Sequence, residues 1–191
     1  MLVFATFNFF NFEMGVVRAS GLTVLDSFEG DIVILRSGKS ISATADLQLY
    51  ENDKIVTAKN GAAVIRFFDE SVTRLAGNTT LLISNLEQSS RDSLRNHVEI
   101  DLLSGTLWSK AISLVESDSS FVVKVGNVYA YARQSVFNVE VFQNGSSEIG
   151  VFNHSLDIVT GKEVEKVVSG EKVIVGKAGV GRLKKIAEVE R

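Results

Sequence analysis

Phe67-Phe68-Asp69-Glu70-Ser71 is the one place where acids and a hydroxyl crowd together directly after large apolar residues. Asp69 or Glu70 could serve as a general base for Ser71, or work on a sugar bond with a second carboxylate such as Asp101. Successive side chains of a strand point to opposite faces, so Asp69 and Glu70 converge on one atom only if a turn redirects them. The same residues make a good hairpin tip between alternating runs at Ile65–Phe67 and Thr73–Leu75, with Asp69 accepting backbone N–H bonds. The turn is the preferred reading, and no catalytic residue is assigned.

Other candidate chemistry is sparse. His97 and His154 are far apart, and neither belongs to a His-x-His or carboxylate pattern with ligand spacing, so both read as solvated or loop histidines and no metal ligand is assigned. The chain has no cysteine, which removes thiolate metal sites, disulfides and a cysteine nucleophile together. Alternation puts Arg133, Ser135 and Phe137 on one face; an anion site at Arg133 is weaker than a stem packed across the strands. Gly176, Gly179 and Gly181 fit neither the dinucleotide pattern nor a phosphate loop ending in Lys-Ser/Thr, so no cofactor is expected. Trp108 reads as a core residue.

The elements that must position these residues are short and extended. From Gly21 onward, apolar residues alternate in runs that recur every eight to twelve residues, at Ile32–Ile34, Ile55–Thr57, Ala63–Phe67, Leu81–Ile83, Val98–Leu102 and onward to Val175. Asn60-Gly61 is the strongest hairpin signal, and Ser84–His97 reads as a long exposed hairpin loop. Proline is absent while glycine occurs 15 times, so turns fall to Gly, Asn, Asp and Ser. No helical pattern separates the runs, which excludes an α/β fold. The expectation is an all-β chain, a short solenoid-like or double-sheet wrap, with a short helix or linker at the end, where Leu183, Ile186 and Ala187 fall at helical spacing. Three segments follow: 1–20, 21–176 and 177–191.

The apolar share of 45% supports a core, and a net charge of −3 with scattered lysines and arginines argues against nucleic acid as a partner. The first segment holds Phe4, Phe7, Phe9, Phe10 and Phe12. It is shorter than the about 20 apolar residues that cross a bilayer. A core strand, the stump of a membrane segment and a partner-binding tail all fit it; as a tail, the five phenylalanines are the candidate contact residues.

The motifs, taken in order, resemble the FecR domain family. Its G-D-x-I-x-T turn corresponds to Asn52–Thr57, and its A-x-I-x-F-x-D-G-S hairpin to Ala63–Ser71. R-L-x-x-N-T corresponds to Arg74–Thr79, L-x-x-G-x-x-W to Leu102–Trp108, and R-G-T-x-F-x-V to Arg133–Val139. A closing L-x-x-G-E is similar to Val168–Glu171. Glycines of the family are replaced by Asn52, Glu70 and Gln134. At the first two corners this implies either that a positive φ is no longer required or that Asn52 supplies it.

The resemblance implies an all-β domain placed outside the cytoplasmic membrane, in the bacterial periplasm or cell envelope. The signalling members of that family also carry an N-terminal helical anti-sigma segment, a membrane helix and a C-terminal receptor-docking module, and the expectation for this sequence is a domain without the three. The expected function is a non-enzymatic scaffold or protein-interaction domain, a subunit of a larger envelope assembly that binds envelope proteins and itself. The alternative is the sensory domain of a membrane-anchored sigma-factor regulator. A carbohydrate-binding domain is the third reading.

Overall fold

The computed structural model describes residues 21–88, 96–112, 119–176, 179–180 and 184–185. Among them the chain forms eighteen strands and no helix. In chain order they are β1 (Val24–Glu29), β2 (Ile32–Arg36), β3 (Lys39–Ser42), β4 (Leu47–Gln48), β5 (Lys54–Thr57) and β6 (Ala62–Arg66). β7 (Val72–Leu75), β8 (Thr80–Gln88), β9 (Asn96–Lys110), β10 (Ser120–Val125), β11 (Val128–Ala132) and β12 (Val136–Val141) follow. The series ends with β13 (Ser147–Asn153), β14 (Ser155–Thr160), β15 (Glu163–Val168), β16 (Glu171–Gly176), β17 (Gly179–Val180) and β18 (Lys184–Lys185).

The pairings resolve into two layers. The first runs β4-β1-β6-β7-β9-β12-β13-β16, with β17 and β18 on its last edge. The second runs β3-β2-β5-β8-β9-β10-β11-β14-β15. The chain crosses repeatedly between them, commonly after one hairpin, and the expected double-sheet wrap is what results. β9 belongs to both layers: Asn96–Ser104 pairs with β8 and its C-terminal part, from Gly105, pairs with β12. Gly105 sits at that crossing with φ +87°, and a Cβ there would lie 2.4 Å from the Thr79 hydroxyl, so only glycine lets one strand pass from layer to layer.

Alternation explains the core. Leu25, Ile65, Leu75, Leu107, Phe137, Val139, Ile149 and Val173 face inward from the first layer, against Ile34, Ile55, Leu81, Ile100, Val123, Ile158 and Val167 from the second, all buried. Phe67, Phe121 and Phe137 join the layers through edge-to-face contacts at 5.4 and 6.5 Å.

Several sequence expectations change. Asn60-Gly61 turns the chain from β5 in one layer to β6 in the other and forms no hairpin. Its glycine is required by close approach, since a Cβ would meet the Asp31 carbonyl at 2.4 Å. The Ser84–His97 loop is shorter than expected: β8 continues to Gln88, which pairs with Asn96. Trp108 is half-buried on the outer face of the first layer, with the Arg74 guanidinium 5.4 Å from its ring, and is no core residue. Of the stretch expected as a terminal helix, Lys184–Lys185 is strand paired with β16, and the rest lies outside the described residues.

Candidate functional site

Phe67-Phe68-Asp69-Glu70-Ser71 is the tip of the β6–β7 hairpin, closed by Phe67 N–H donating to Ser71 O at 2.9 Å. Asp69 accepts the Ser71 N–H and hydroxyl, both at 2.9 Å, and Ser71 Oγ in turn accepts the Ile112 N–H at 2.9 Å. Ser71 is fully buried, so its hydroxyl has no path to a substrate. Burial pushes the Asp69 carboxyl up from its ordinary value, against the two Ser71 donors that favour its charged form. Glu70 points into solvent, away from this pair, and holds φ +67°. The cluster ties the hairpin to the end of β9. It presents no converging carboxylates.

The remaining family-type motif residues are likewise joined to backbone. Asp53, with no exposed surface, takes a two-pronged contact from Arg36 at 2.7 and 2.6 Å and accepts the Tyr50 N–H at 2.9 Å. Arg36 also donates to Gln48 O, and its guanidinium lies 4.5 Å from the centre of the Tyr50 ring. The hydrogen bond to Asp53 holds the Arg36 pKa above its usual value. Thr57 Oγ1 donates to Ala76 O and accepts the Thr79 N–H, while Thr79 Oγ1 accepts the Thr106 N–H. These hydroxyls and carboxylates satisfy chain crossings that regular sheet pairing leaves open.

The Arg36–Asp53–Tyr50 cluster stiffens one wall of a cleft of about 440 Å³, lined by Gly21 to Thr23, Gln48 to Asn52, Phe68, Leu86 and Gln88. Leu22 and Tyr50 remain 48% and 46% exposed at its rim, while Leu49 and Phe68 floor it. Glu51 pins the rim to β8 by accepting the Leu86 N–H at 2.8 Å. Thr23 lines this space with other atoms, while its hydroxyl is buried beneath the surface and has no hydrogen-bond partner. The size is that of a pocket for a small ligand or a few side chains. Sequence reading missed it, because Leu22, Tyr50, Phe68 and Leu86 come from four separate segments and share no motif.

The other sequence candidates do not gather there. Phe4, Phe7, Phe9, Phe10 and Phe12 lie outside the described residues. His97 is part of β9 rather than a loop; its Nδ1 is 2.6 Å from the Ser120 hydroxyl, and Glu99 is 3.7 Å from Nε2. His154 is exposed at a β13–β14 corner with φ +59°. Arg133 is exposed in a bend and does not share a face with the buried Ser135 and Phe137; Ser135 Oγ instead links the carbonyls of Arg133 and Ser155. Asp101 is held by Ser84 and Lys124 on the outer face of the second layer. No cluster of three potential metal ligands occurs among the described residues.

Comparison with known proteins adds the following. The model of the family described as FecR protein matches residues 53–155. Two crystal structures of proposed anti-sigma factors from Parabacteroides distasonis share the fold, with TM-scores of 0.57 and 0.54 at 15% and 16% identity. Each alignment covers 69% of this chain and 59% of the other, so the chain spans less than two thirds of those proteins. No curated protein matches the sequence.

Proposed function

The chain belongs to the FecR protein family, and from that premise we propose that it is a non-enzymatic protein-interaction domain of the bacterial cell envelope, working outside the cytoplasmic membrane. The observation that carries this reading is the cleft. The family-type polar residues are turned to backbone ties, whereas Leu22 and Tyr50 stand exposed around a space that a partner's side chains would fill. Exposed apolar side chains beside a firm wall suit protein contact, since a pre-set wall has little ordering left to lose on binding.

Two forms of this role differ in what is bound. As a regulatory domain it would sense a partner in the envelope and pass that state on; the likeness of fold to proposed anti-sigma factors favours this form. As a scaffold it would join an assembly as a repeated subunit, which the apolar segment Phe4–Phe12 favours.

Affinity capture from envelope extract of the source cells, with the full chain and with a Leu22→Ser/Tyr50→Ser variant, tests the proposal. Recovery of a receptor or sigma-regulating protein by the unmodified chain alone supports the regulatory form. Recovery of further copies with envelope subunits supports the scaffold. Identical recoveries by the two chains would overturn the assignment of the cleft.

A further inference from the structure

The edges of the two layers are not alike. In the first layer β4 has two residues, and the far edge of β16 is covered by β17 and β18. In the second layer β3 has four residues, whereas β15 at the opposite end runs for six, Glu163–Val168, and among the described residues pairs only with β14. An open edge of that length is a template for another strand. We propose that β15 is the contact between two copies of this chain, joined edge to edge about a two-fold axis through Lys166 into one continuous sheet. No residue of β15 lines the cleft, so this surface is independent of the site described above.

The backbone is turned for such pairing. The Ser169 N–H donates to His154 O at 2.8 Å across the end of the β14–β15 ladder, while the Val168 N–H points to the other side and meets the Glu171 carboxylate at 3.1 Å. Antiparallel alternation directs the N–H and C=O of Val164 and Lys166 to the open side as well. A two-fold axis normal to the sheet keeps each face on its own side, so the strand meets its copy with one residue on the axis. Centring on Glu165 sets two half-buried carboxylates against each other. Centring on Val167 leaves Val164 opposite the turn at Gly170. Centring on Lys166 sets Val164 against Val168 of the partner subunit, twice, and the outward backbone groups of all three residues then face one another; the Val168 N–H exchanges the Glu171 carboxylate for a carbonyl.

The side chains match in the same register. Val164 and Val168 are 67% and 42% exposed, and no other large apolar side chain described is as exposed as Val164. Tyr131 shares their face, since the register runs Tyr131, Asp157, Lys166 across β11, β14 and β15. A lysine on an edge commonly deters pairing. Here Asp157 stands directly opposite Lys166, so two lysines at the axis lie between two carboxylates. Valine pairs flanking a charge-balanced centre are self-complementary, which a two-fold contact requires. That self-match favours a second copy over an unrelated strand, which would share only the backbone bonds.

The chain has no cysteine, so single cysteines report the contact directly. Facing residues of antiparallel strands have Cα atoms about 4.5–5.5 Å apart, within the span of a disulfide. Under mild oxidation the Lys166→Cys chain should form a linked dimer about tenfold faster than Val164→Cys alone, whose two thiols lie about 13 Å apart along the strand in this register. A mixture of Val164→Cys and Val168→Cys chains should again link quickly. Sedimentation of the unmodified chain should show a concentration-dependent dimer. Lys166→Pro removes one N–H from the open side and none from the β14 ladder, and should raise the dissociation constant about tenfold. Val164→Lys with Val168→Lys should do the same through charge, in case proline disturbs the strand. A monomer at every concentration overturns the proposal, as do equal linking rates for Lys166→Cys and Val164→Cys, which mean random collision. A dimer unaffected by both the proline and the lysine changes places the contact elsewhere and overturns it too. So does a Lys166→Cys chain that, oxidised in envelope extract of the source cells, links to a different protein in place of its own copy.

Discussion

Glu70→Gly should stabilise the protein. Glu70 occupies the corner of the β6–β7 hairpin at φ +67°, where its Cβ crowds the following carbonyl. A left-handed backbone costs a residue with a side chain about 1–2 kcal/mol relative to glycine. Glycine returns about 0.4–1 kcal/mol of that through the greater freedom of the unfolded chain. The net expectation is a gain of about 0.5–1 kcal/mol. In a chain of this length that is a rise in Tm of about 1–4 °C. Removing the charge adds in the same direction, because Glu70 is a like charge beside the buried Asp69 carboxylate.

Glu70→Ala separates the two contributions: it deletes the charge and keeps the Cβ, so the difference between the glycine and alanine variants is the backbone effect alone. Glu70→Asn should fall between them, since asparagine enters the left-handed region more readily than other side chains; Asn52 already does so at φ +67°. Urea unfolding with a shared m-value is the assay. If the alanine and glycine variants were equally stable, the corner would carry no strain and the reasoning would fail.

Ser71→Ala should cost about 2–4 kcal/mol, because it leaves the buried Ile112 N–H unpaired and removes one donor from Asp69; urea midpoints against wild type check it, and a loss under 1 kcal/mol would refute it. Arg36→Ala should cost about 2–3 kcal/mol, below the usual range for a broken buried pair because Arg36 is 29% exposed. Arg36→Lys should cost about half as much through loss of the two-pronged contact, and thermal unfolding of both variants decides whether that ordering holds. For Asp69 the folded pKa is raised, so the folded state holds the proton more tightly. Its stabilising contribution is complete below the ordinary carboxylate value of about 3.9 and is lost as pH rises through the raised folded value. The stability of wild type relative to Asp69→Asn should therefore improve as pH falls toward 4 and level off below; a flat or opposite trend in paired urea titrations would refute it.

How much of this was legible follows from which residues interact locally. Alternation at Ile32–Ile34, Ala63–Phe67 and Val98–Leu102 placed strands correctly, because a period of two is a property of adjacent residues. The hairpin tip at Asp69–Ser71 was legible for the same reason: a short acid followed by serine bonds its own backbone two residues on. Pairing partners were less so. Asn60-Gly61 satisfied a local hairpin rule, yet its glycine answers to the Asp31 carbonyl, 30 residues away in the chain, and the turn joins two layers. At Glu70 a missing glycine suggested that the left-handed corner had been given up; hydrogen bonds on both sides hold it there regardless.

The cleft was invisible to sequence for a deeper reason, and the same reason separates fold from function in this chain. Asp53, Thr57, Asp69, Ser71, Thr79 and Gly105 carry the family resemblance, and each satisfies or makes room for backbone where the chain crosses between layers or turns at a hairpin tip. Such residues are constrained by a geometry common to every chain that wraps in this way, so they form motifs. The Leu22 side chain meets no such demand, and Tyr50 meets it only through its backbone N–H. Both side chains stand exposed at one rim, a condition set by whatever binds there. A motif made of backbone ties specifies the wrap, and the partner is specified by side chains that the motif leaves free. Substitutions at the two sets should accordingly separate: changes at Thr57 or Ser71 lower stability and take binding with them, whereas Leu22→Ser with Tyr50→Ser should abolish capture at a stability cost of only about 1 kcal/mol in urea unfolding, most of it from the Tyr50 ring that faces the Arg36 guanidinium.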